Sequence, residues 1–507
     1  SVAEINARLK DRYKLLTGGG RVLLERQQTL RALVDWSYDL LDDRERRLLA
    51  RLAAFAGGFE LEAVEQVAGA EPLDPLDVMD LLGSLVEKSL VMPDERDGRT
   101  RYRMLETIRD YAREKLVASG ELDAIAARHC EHFFALAKQM RDGLRGAAQA
   151  EWLQRGEADH DNLRAAMTHA RSGAVDPFIA VKMAVAMQGF WMLRGYIAEG
   201  RAYVRSALAM PAIEQSDLAR SWALYVGAAL ATGQSDHAEA RQMLEVCLQL
   251  RRGLGNPVDI AATLSTLSLA RLQAGNVAAA RTDEQEALTI FERLGDRFGQ
   301  AICLLHLAQI DLFSGDDAAA RDFAERCLAL ARSLGHKEIE AECELVLGEL
   351  AAEAGDGAGA LARIRRSLSI CTEAGDRRGE AIARWWLGRI LLSQAYDSTH
   401  AAEELLSALP VLRDAGMREE LLGALEDVSR LALATGRCEI AVQLAAMVNA
   451  SRERLSLARS TRHQTRWRHH LEAVVPVLDG NAYASANDVG AAWDARDAVA
   501  AADCLRH

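Results

Sequence analysis

The sequence predicts an all-α protein, in which a superhelix of helical hairpins follows a small domain that adds a β-hairpin to its helices. Three observations predict this fold class. Ala, Leu, Arg and Glu dominate the 507 residues, and these side chains favour helices because they lose little rotamer freedom there. Apolar residues recur at i, i+3, i+4 and i+7, the period of an amphipathic helix. Glycine recurs every 40 or 41 residues in the second half of the chain, at Gly255, Gly295, Gly335, Gly375 and Gly416.

The composition limits the class of protein. Half of the residues are hydrophobic, and a formal net charge of −13 repels nucleic-acid phosphates outside a local basic patch. The eight cysteines lack a CxxC pair and mostly fall in apolar helical patterns, which is typical of reduced core thiols. No apolar run approaches the roughly 18 residues of a membrane span, and no leader is evident. We therefore expect a cytoplasmic protein, and the start at Ser1 predicts a segment of a longer one.

Residues 1–28 predict a short amphipathic helix over 2–13 and then a linker. The linker contains three consecutive glycines, Gly18, Gly19 and Gly20, a composition that also occurs where backbone cradles a phosphate. No Gly-x-x-x-x-Gly-Lys-Ser/Thr motif exists here or elsewhere in the chain, so no P-loop is predicted. We interpret residues 1–28 as the end of a preceding module and its linker.

Residues 29–120 have the element order of a winged helix. The predicted helices begin at Thr29, Asp43, Leu61, Pro75 and Leu105, and the last ends near Ser119. Before the last helix, two short runs flank a turn-rich segment over 93–99, which predicts the hairpin wing. The helix before the wing carries Asp77, Asp80 and Glu87, which repel phosphates, so we favour a structural or regulatory role over DNA reading.

Residues 121–217 predict a helical linker or degenerate repeats, 218–458 the clear repeats, and 459–507 a helical cap. Successive units match position by position, since a leucine is followed by a small residue wherever two helices would cross closely. These pairs are Leu267-Ser268, Leu307-Ala308, Leu347-Gly348 and Leu387-Gly388. A second glycine series predicts the turn inside each unit, at Gly233, Gly275, Gly315, Gly355 and Gly436.

This pattern is similar to the tetratricopeptide repeat, with a unit of 40 rather than 34 residues. Stacked hairpins of this kind share one core and leave a concave groove that binds peptides, helices or small ligands. The register predicts six groove residues on the first helices: Leu305, Gln309, Phe313, Glu349, Trp385 and Arg389. Trp and Arg often anchor binding sites, although Trp385 is equally compatible with ordinary core packing.

A wider resemblance follows from a set of short segments. They are 26–32, 35–41, 55–59, 85–90, 101–112 and 157–166, together with Phe190-Trp191, Arg194-Gly195-Tyr196 and Glu199-Gly200-Arg201. As a set, these segments resemble bacterial STAND-type regulators, which are signalling ATPases with an NB-ARC nucleotide switch and a tetratricopeptide sensor. The resemblance implies that residues 1–28 end an upstream NTPase module, which is where ATP or ADP would bind, with no cofactor in this chain.

The same resemblance implies a switch in which the winged helix packs over bound ADP until the repeats sense a ligand. The family's Met-His-Asp motif, whose His touches ADP, aligns with Met104, Leu105 and Glu106. Leu105 cannot donate the hydrogen bond of the His, which departs from the family pattern. We nevertheless treat Met104, Leu105 and Glu106 as a candidate regulatory motif.

Other candidate chemistry is weaker. His129-Cys130-Glu131-His132 offers too few ligands for a closed metal site, so neither a metal nor a catalytic residue is predicted. Four arginines, Arg459, Arg462, Arg466 and Arg468, form a candidate basic patch. Such a patch could contact nucleic acid or an acidic neighbouring subunit, and we favour an Arg-rich surface at the end of the solenoid.

Three functions remain open from the sequence. The favoured one is the sensor and partner-binding region of a STAND-type transcriptional or signalling regulator, which relays binding in the groove to an upstream NTPase. The alternatives are a free-standing tetratricopeptide scaffold and a nucleic-acid-binding regulator. The expected partners are a protein or small effector in the groove and the NTPase domain; a homo-oligomer stays open, whereas direct nucleic-acid contact and a membrane are not favoured.

Overall fold

The computed structural model describes residues 31–96, 99–144, 148–393, 398–455 and 457–506. The helix predicted over 2–13 and the linker after it lie outside these residues. The described chain forms two compact units. The first runs to Leu136 and also includes Glu157–Val175, and the second comprises Ala137–Gly156 and the chain from Asp176 onward.

The first unit contains the winged helix that the sequence predicts. Its elements are α1 (31–39), α2 (Asp43–Leu52), α3 (Leu61–Val67), a 3₁₀ turn (Pro75–Asp77), α4 (Val78–Glu87), β1 (Met92–Arg96), β2 (Arg99–Arg103) and α5 (Glu106–Ala118). Helices α6 (Leu122–Gly143) and α7 (Gln149–Ala158) follow and are each divided between the two units, and α8 (His160–Ala170) belongs to the first. The wing is antiparallel, with Met92 opposite Arg103, so the strands take up most of the segment that we predicted to be a turn.

Local sequence explains where α2 begins. Asp42 accepts hydrogen bonds from the backbone N–H groups of Arg44 and Glu45, and the Glu45 side chain accepts one from the backbone N–H of Asp42. This reciprocal capping box satisfies donors that the first turn of a helix leaves without a partner. The buried side chains Leu48, Leu49 and Leu52 then turn α2 toward the core of the unit.

The second unit is built from helices. They are α9 (Phe178–Arg194), α10 (Ile197–Leu208), α11 (Pro211–Glu214), α12 (Asp217–Gly233), α13 (His237–Leu254), α14 (Pro257–Gln273), α15 (Val277–Leu294), α16 (Arg297–Ser314), α17 (Asp317–Leu334), α18 (Lys337–Glu353), α19 (Gly357–Ala374), α20 (Arg377–Ser393), α21 (Ser398–Asp414), α22 (Arg418–Ala434), α23 (Cys438–Leu455), α24 (Thr461–Val474), α25 (Gly480–Ala492) and α26 (Ala495–Asp503). Within the described residues, no helix combines the length and apolar character needed to cross a membrane.

The predicted 40-residue unit corresponds to one helical hairpin, and its end is set by glycine. Gly295 has φ +68°, the left-handed region that L side chains rarely adopt, and it ends α15. The next residue, Asp296, donates its backbone N–H to the carbonyl of Phe291 over 3.0 Å and caps α16 with its side chain. The hairpins therefore join through turns that both end one helix and start the next.

The turn inside the first clear hairpin differs from the prediction. Gly233 is the last residue of α12, and the left-handed residue there is Ser235, with φ +56°. Ser235 lies 40 residues before Gly275, so the repeat period was right and the residue was wrong. A serine in this conformation is more strained than a glycine. The Ser235 side chain offsets that strain by accepting a hydrogen bond from the backbone N–H of Glu419.

Candidate functional site

The first helices of the hairpins contact one another, so they form one continuous surface. Helix α14 packs against α12 and α16, and α18 packs against α16 and α20 in the same manner. We call this surface of α12, α14, α16, α18, α20 and α22 the inner wall. Close packing is allowed by the small residue after each leucine: Ser268 and Ala308 are fully buried, and a Cβ on Gly348 would stand 2.6 Å from Cδ1 of Ile364.

The six predicted groove residues take different positions on the inner wall. Leu305 is buried in the apolar core beside Leu347, while Gln309 and Phe313 are half-buried. The other three, Glu349, Trp385 and Arg389, are each no more than 8% exposed. The polar atoms of Trp385 and Arg389 meet at one carboxylate of α22, whereas Glu349 pairs with side chains of α24.

Asp427 on α22 connects Trp385 and Arg389, and the sequence analysis missed it. Its Oδ2 accepts the indole N–H of Trp385 over 2.8 Å and the Nε–H of Arg389 over 2.7 Å. Arg430 donates to Oδ1 over 2.9 Å. Burial opposes ionisation, but Arg389 and Arg430 outweigh it and hold the pKa of Asp427 below its usual value. The only sign of this site in the sequence was that Asp427 lies about one helical turn before Arg430.

Helix α24 brings two arginines of the predicted basic patch, Arg462 and Arg466, against the inner wall. Nη2 of Arg462 lies 2.7 Å from Oδ1 of Asp317, and Nη1 of Arg466 lies 2.8 Å from Oε1 of Glu353. Nε2 of His463 lies 3.3 Å from Oε1 of Glu349. Burial opposes ionisation of Glu349, but His463 and the nearby arginines outweigh it, so its pKa is below the usual value.

The four arginines of the patch do not form one surface. Arg459 lies beside Glu426, which also pairs with Arg452, and burial together with the charge of Arg452 lowers the pKa of Arg459. Arg462 and Arg466 face the inner wall, and Arg468 is exposed to solvent. The acidic partner of three of these arginines is thus a carboxylate of the same chain.

The hairpins curve far enough for distant turns to meet, at a contact that we call the seam. The Oγ of Ser235 accepts the backbone N–H of Glu419 over 2.9 Å and lies 3.3 Å from Oε2 of Glu420. His237 places Nε2 3.4 Å from Oε2 of Glu419. These contacts join the α12–α13 turn to the start of α22, about 184 residues away along the chain. They also explain why Ser235 occupies a position that glycine fills elsewhere.

Acidic side chains gather near the seam, at the beginnings of α18 and α20: Asp376 is buried and Glu338 is half-buried. Burial and the charges of Asp376 and Glu342 raise the pKa of Glu338 to about 8. Burial also raises the pKa of Asp376 to about 6, against the hydrogen bond from the backbone of Gly379 and the charge of Arg378. At neutral pH the folded chain thus favours the protonated form of Glu338, whereas Asp376 is mostly ionised.

A serine, a histidine and a glutamate also meet inside the repeats. The Oγ of Ser265 lies 2.7 Å from Oε1 of Glu284 and 3.0 Å from Nδ1 of His306. This set resembles hydrolytic triads only in composition, because Ser265 is 2% exposed and Glu284 is fully buried. Substrate cannot reach the hydroxyl, so the arrangement is a satisfied polar network of the core.

In the first unit, a cavity of about 210 Å³ borders the candidate regulatory motif. Its lining includes Met104, Arg103, Arg109 and the turn from Phe55 to Phe59. Leu105 is half exposed at the start of α5, and Glu106 is the first residue of that helix. The three residues of the motif therefore do not act on one site, because only Met104 lines the cavity.

Asn162 on α8 holds the turn that forms the floor of this cavity. Its Oδ1 accepts the backbone N–H of Ala56 over 2.9 Å, and its Nδ2 donates to the carbonyl of Gly58 over 2.8 Å. Asn162 is fully buried, so these partners replace water for the side chain and the turn alike. The sequence analysis included this residue in a family segment without recognising that role.

The His129–His132 segment places its residues in different surroundings. His129 is buried against Phe55 and Phe133, and burial lowers its pKa to about 4. His132 is half-buried, with Nδ1 2.8 Å from Oε1 of Gln66. Among the described residues, no three His, Cys, Asp or Glu side chains converge as metal ligands would.

Two family models match parts of the chain. Residues 41–117 match the winged helix-turn-helix domain, and residues 259–333 match the tetratricopeptide repeat. These matches agree with the wing in the first unit and with the hairpins from α14 to α17 in the second. The chain therefore contains a winged helix-turn-helix domain and tetratricopeptide repeats.

Curated relatives come from mycobacteria. Proteins of Mycobacterium tuberculosis and Mycobacterium bovis, whose names assign them provisionally to the HTH-type transcriptional regulators, are 45% identical over 209 residues, which are 41% of this chain. A second, uncharacterized protein of M. tuberculosis is 41% identical over 147 residues, 29% of this chain. The matched segments cover 23% and 37% of those relatives.

Solved structures resemble the chain at low sequence identity. A Rap protein complexed with competence and sporulation factor has a TM-score of 0.50 at 11% identity, over 74% of this chain and 99% of that one. A STAND protein with a tetratricopeptide-repeat sensor from Pyrococcus horikoshii has a TM-score of 0.49 at 16% identity, over 92% of this chain and 64% of that one. The likeness to the Rap protein concerns the fold alone.

Proposed function

We propose that this chain is the sensor and partner-binding region of a bacterial STAND-type transcriptional regulator. The observation that carries the proposal is the presence, in one chain, of a winged helix-turn-helix domain and of tetratricopeptide hairpins with a charged inner wall. The mycobacterial relatives named as HTH-type regulators support the regulatory role. ATP or ADP would bind an upstream NTPase module rather than this chain.

The inner wall supplies the chemistry that a sensor needs. Repeat hairpins stack into a surface that a partner can span, and buried charges on such a surface select a partner by complementarity. Arg389 on α20 and Asp427 on α22 are buried charges joined by a hydrogen bond, and Glu349 on α18 is a buried charge on which Arg389 acts electrostatically. Binding at these residues would act on three hairpins at once and so alter how they pack. In the proposed switch, that change releases the ADP-bound state of the upstream module.

The experiment uses the complete gene product that carries this segment. We expect a Gly-x-x-x-x-Gly-Lys-Ser/Thr motif within roughly 300 residues before Ser1. Release of bound labelled ADP should change at least five-fold in an inner-wall variant, Glu353→Arg. The matched control is Glu325→Arg, the same charge change at an exposed residue of α17. Absence of the motif would favour a free-standing scaffold, and equal release rates in all three proteins would refute the relay.

A nucleic-acid-binding function is the second candidate, and the helix-turn-helix match over residues 41–117 favours it. The helix before the wing opposes it, because Asp80 and Glu87 lie on α4 and Asp77 pairs with Arg44. Titration of the chain with duplex DNA at several salt concentrations decides between them. Binding that weakens steeply with salt would support the second candidate, and its absence would remove it.

A further inference from the structure

Helix α24 meets the inner wall through two matching ladders of charge. Arg462 and Arg466 are one turn apart on α24, and Glu349 and Glu353 are one turn apart on α18. Arg466 pairs with Glu353, and Arg462 bridges Glu353, at 3.4 Å, and Asp317 on α17, at 2.7 Å. A cationic helix face therefore lies on an anionic face formed by two neighbouring helices.

The two halves of α24 are held differently. The second half is anchored by Trp467, which is 1% exposed and donates its indole N–H to Oδ1 of Asn449 over 2.8 Å, and by His470, 2.8 Å from Oγ of Ser429. The first half relies on arginines that are 24% and 34% exposed. Partly exposed ion pairs contribute little net stability, so the first half can leave while the second stays.

The ion pairs of the first half are also incomplete. Nη1 of Arg462 has no hydrogen-bond acceptor among the described residues, and Nη2 of Arg466 lies 4.0 Å from Oε1 of Glu349, beyond hydrogen-bond distance. Buried donors of this kind disfavour the docked position relative to one in which every N–H has an acceptor. On the other side, Glu349 is 7% exposed, and a buried carboxylate requires a nearby cation. When the first half of α24 leaves, Glu349 loses His463 and Arg466 and keeps Arg389, so a segment that brings positive charge restores the lost partners.

We propose that Asp317, Glu349 and Glu353 form a docking surface for a cationic helical segment of a partner protein. Helix α24 occupies this surface until the partner displaces it. The segment carries two arginine or lysine residues one helical turn apart, to match the spacing of Glu349 and Glu353. The inference rests on the proposed sensor function and specifies the chemistry of the partner.

The test asks whether detaching α24 exposes the surface. The probe is a fluorescent, helix-stapled peptide with the sequence of residues 457–468, titrated by anisotropy into the full chain. We expect Arg462→Glu/Arg466→Glu to bind the peptide at least ten-fold more tightly than the wild type, whose own helix competes. Adding Asp317→Asn and Glu353→Gln to that variant should abolish the gain.

The matched control is Arg454→Glu/Arg468→Glu, which makes the same charge change at two exposed residues that flank the docked turn. It should bind the peptide like the wild type. Hydrogen exchange supplies a fold check that does not depend on peptide binding. In the Arg462→Glu/Arg466→Glu variant, amides of 461–466 should exchange faster, while those of 467–474 stay protected.

Three results would overturn the proposal: equal peptide binding by wild type and detached variant, no binding by either, or a wild-type dimer that exchanges α24 between copies. The last result would assign the surface to a second copy of the chain. Peptide binding is measured without the NTPase module. A negative result here therefore leaves the ADP-release experiment standing, and a negative result there leaves this one standing.

Discussion

The Nε–H of Arg389 donates to Oδ2 of Asp427 over 2.7 Å, which ties α20 to α22 inside the inner wall. The Arg389 guanidinium also lies 4.4 Å from the ring centre of Trp386. Both charged side chains are buried, at 7% and 1% exposure. A buried arginine that loses its carboxylate keeps its charge without compensation, and this makes Asp427 the residue on which this part of the wall depends.

We expect Asp427→Ala to lower the free energy of unfolding by about 3–5 kcal/mol, the usual cost of breaking a buried ion pair from one side. Chemical denaturation followed by circular dichroism measures the change. The control is Asp414→Ala, because Asp414 is 67% exposed and pairs with Arg413 at the surface. Such pairs contribute about 0–1 kcal/mol. A similar loss in both variants would contradict the role given to Asp427.

The acids near the seam predict that stability falls as pH rises. Glu338 has a folded pKa of about 8, above its usual value of 4.5, so the folded chain binds a proton that the unfolded chain has released between these values. Stability is then greatest near the lower value and falls toward pH 8. Asp376, Glu342 and Arg378 are the charged groups that act on Glu338.

Replacing Glu338 with Gln should flatten this dependence. Urea denaturation midpoints of the wild type should fall from pH 5 to pH 8, and those of Glu338→Gln should fall less. Glu325→Gln, at an exposed position of α17, should follow the wild type. If Glu338→Gln kept the full slope, another group would have to carry the effect.

Because two helices cross closely at Gly388, adding even one methyl group there should lower the stability of the protein. A Cβ there would stand 2.6 Å from Cγ of Leu405 and 3.0 Å from the carbonyl oxygen of Ala401. Overpacking of this kind costs about 1–3 kcal/mol, so Gly388→Ala should lower the thermal midpoint. In contrast, Gly253 on α13 has open space around it, and Gly253→Ala should stabilise the helix by up to about 1 kcal/mol. Opposite signs are the expected result, and equal signs would contradict the packing.

Asn162 predicts a local effect in the first unit. Asn162→Ala removes the partners of the Ala56 N–H and the Gly58 carbonyl in a buried setting, which costs about 1–3 kcal/mol. Amide exchange of residues 55–59 should become faster by a similar free energy. Thr168→Ala is the control, since the Thr168 hydroxyl bonds only to the carbonyl of Arg164 in its own helix. Unchanged exchange in Asn162→Ala would show that the turn holds without this side chain.

Much of the fold could be predicted because it depends on local rules. The glycine period located the hairpin ends, since only glycine adopts φ near +70° without strain, as at Gly295 and Gly335. The wing followed from two short runs, residues 90–92 and 100–104, on either side of a turn-rich segment. Ser235 escaped this reasoning because a distant contact with Glu419, rather than the local sequence, compensates for its backbone conformation.

The candidate site was harder to predict. Helical register places Leu305 and Trp385 on the first helices, but it cannot say how deeply a neighbour covers them. It also cannot find partners far along the chain: Arg462 and Asp317 are 145 residues apart. A basic run in an acidic protein predicts that its arginines pair with carboxylates. Which carboxylates they meet depends on how the hairpins curve, and the sequence does not show that.

The seam gives this array a fixed length. In an open solenoid each repeat contacts only its neighbours, so evolution can add or delete units at little cost. Here, inserting one hairpin between Ser235 and Glu419 would carry one edge past the other and break their hydrogen bond. This contact therefore fixes the number of hairpins between Ser235 and Glu419, and hairpins can be added without breaking it only outside that stretch of the chain.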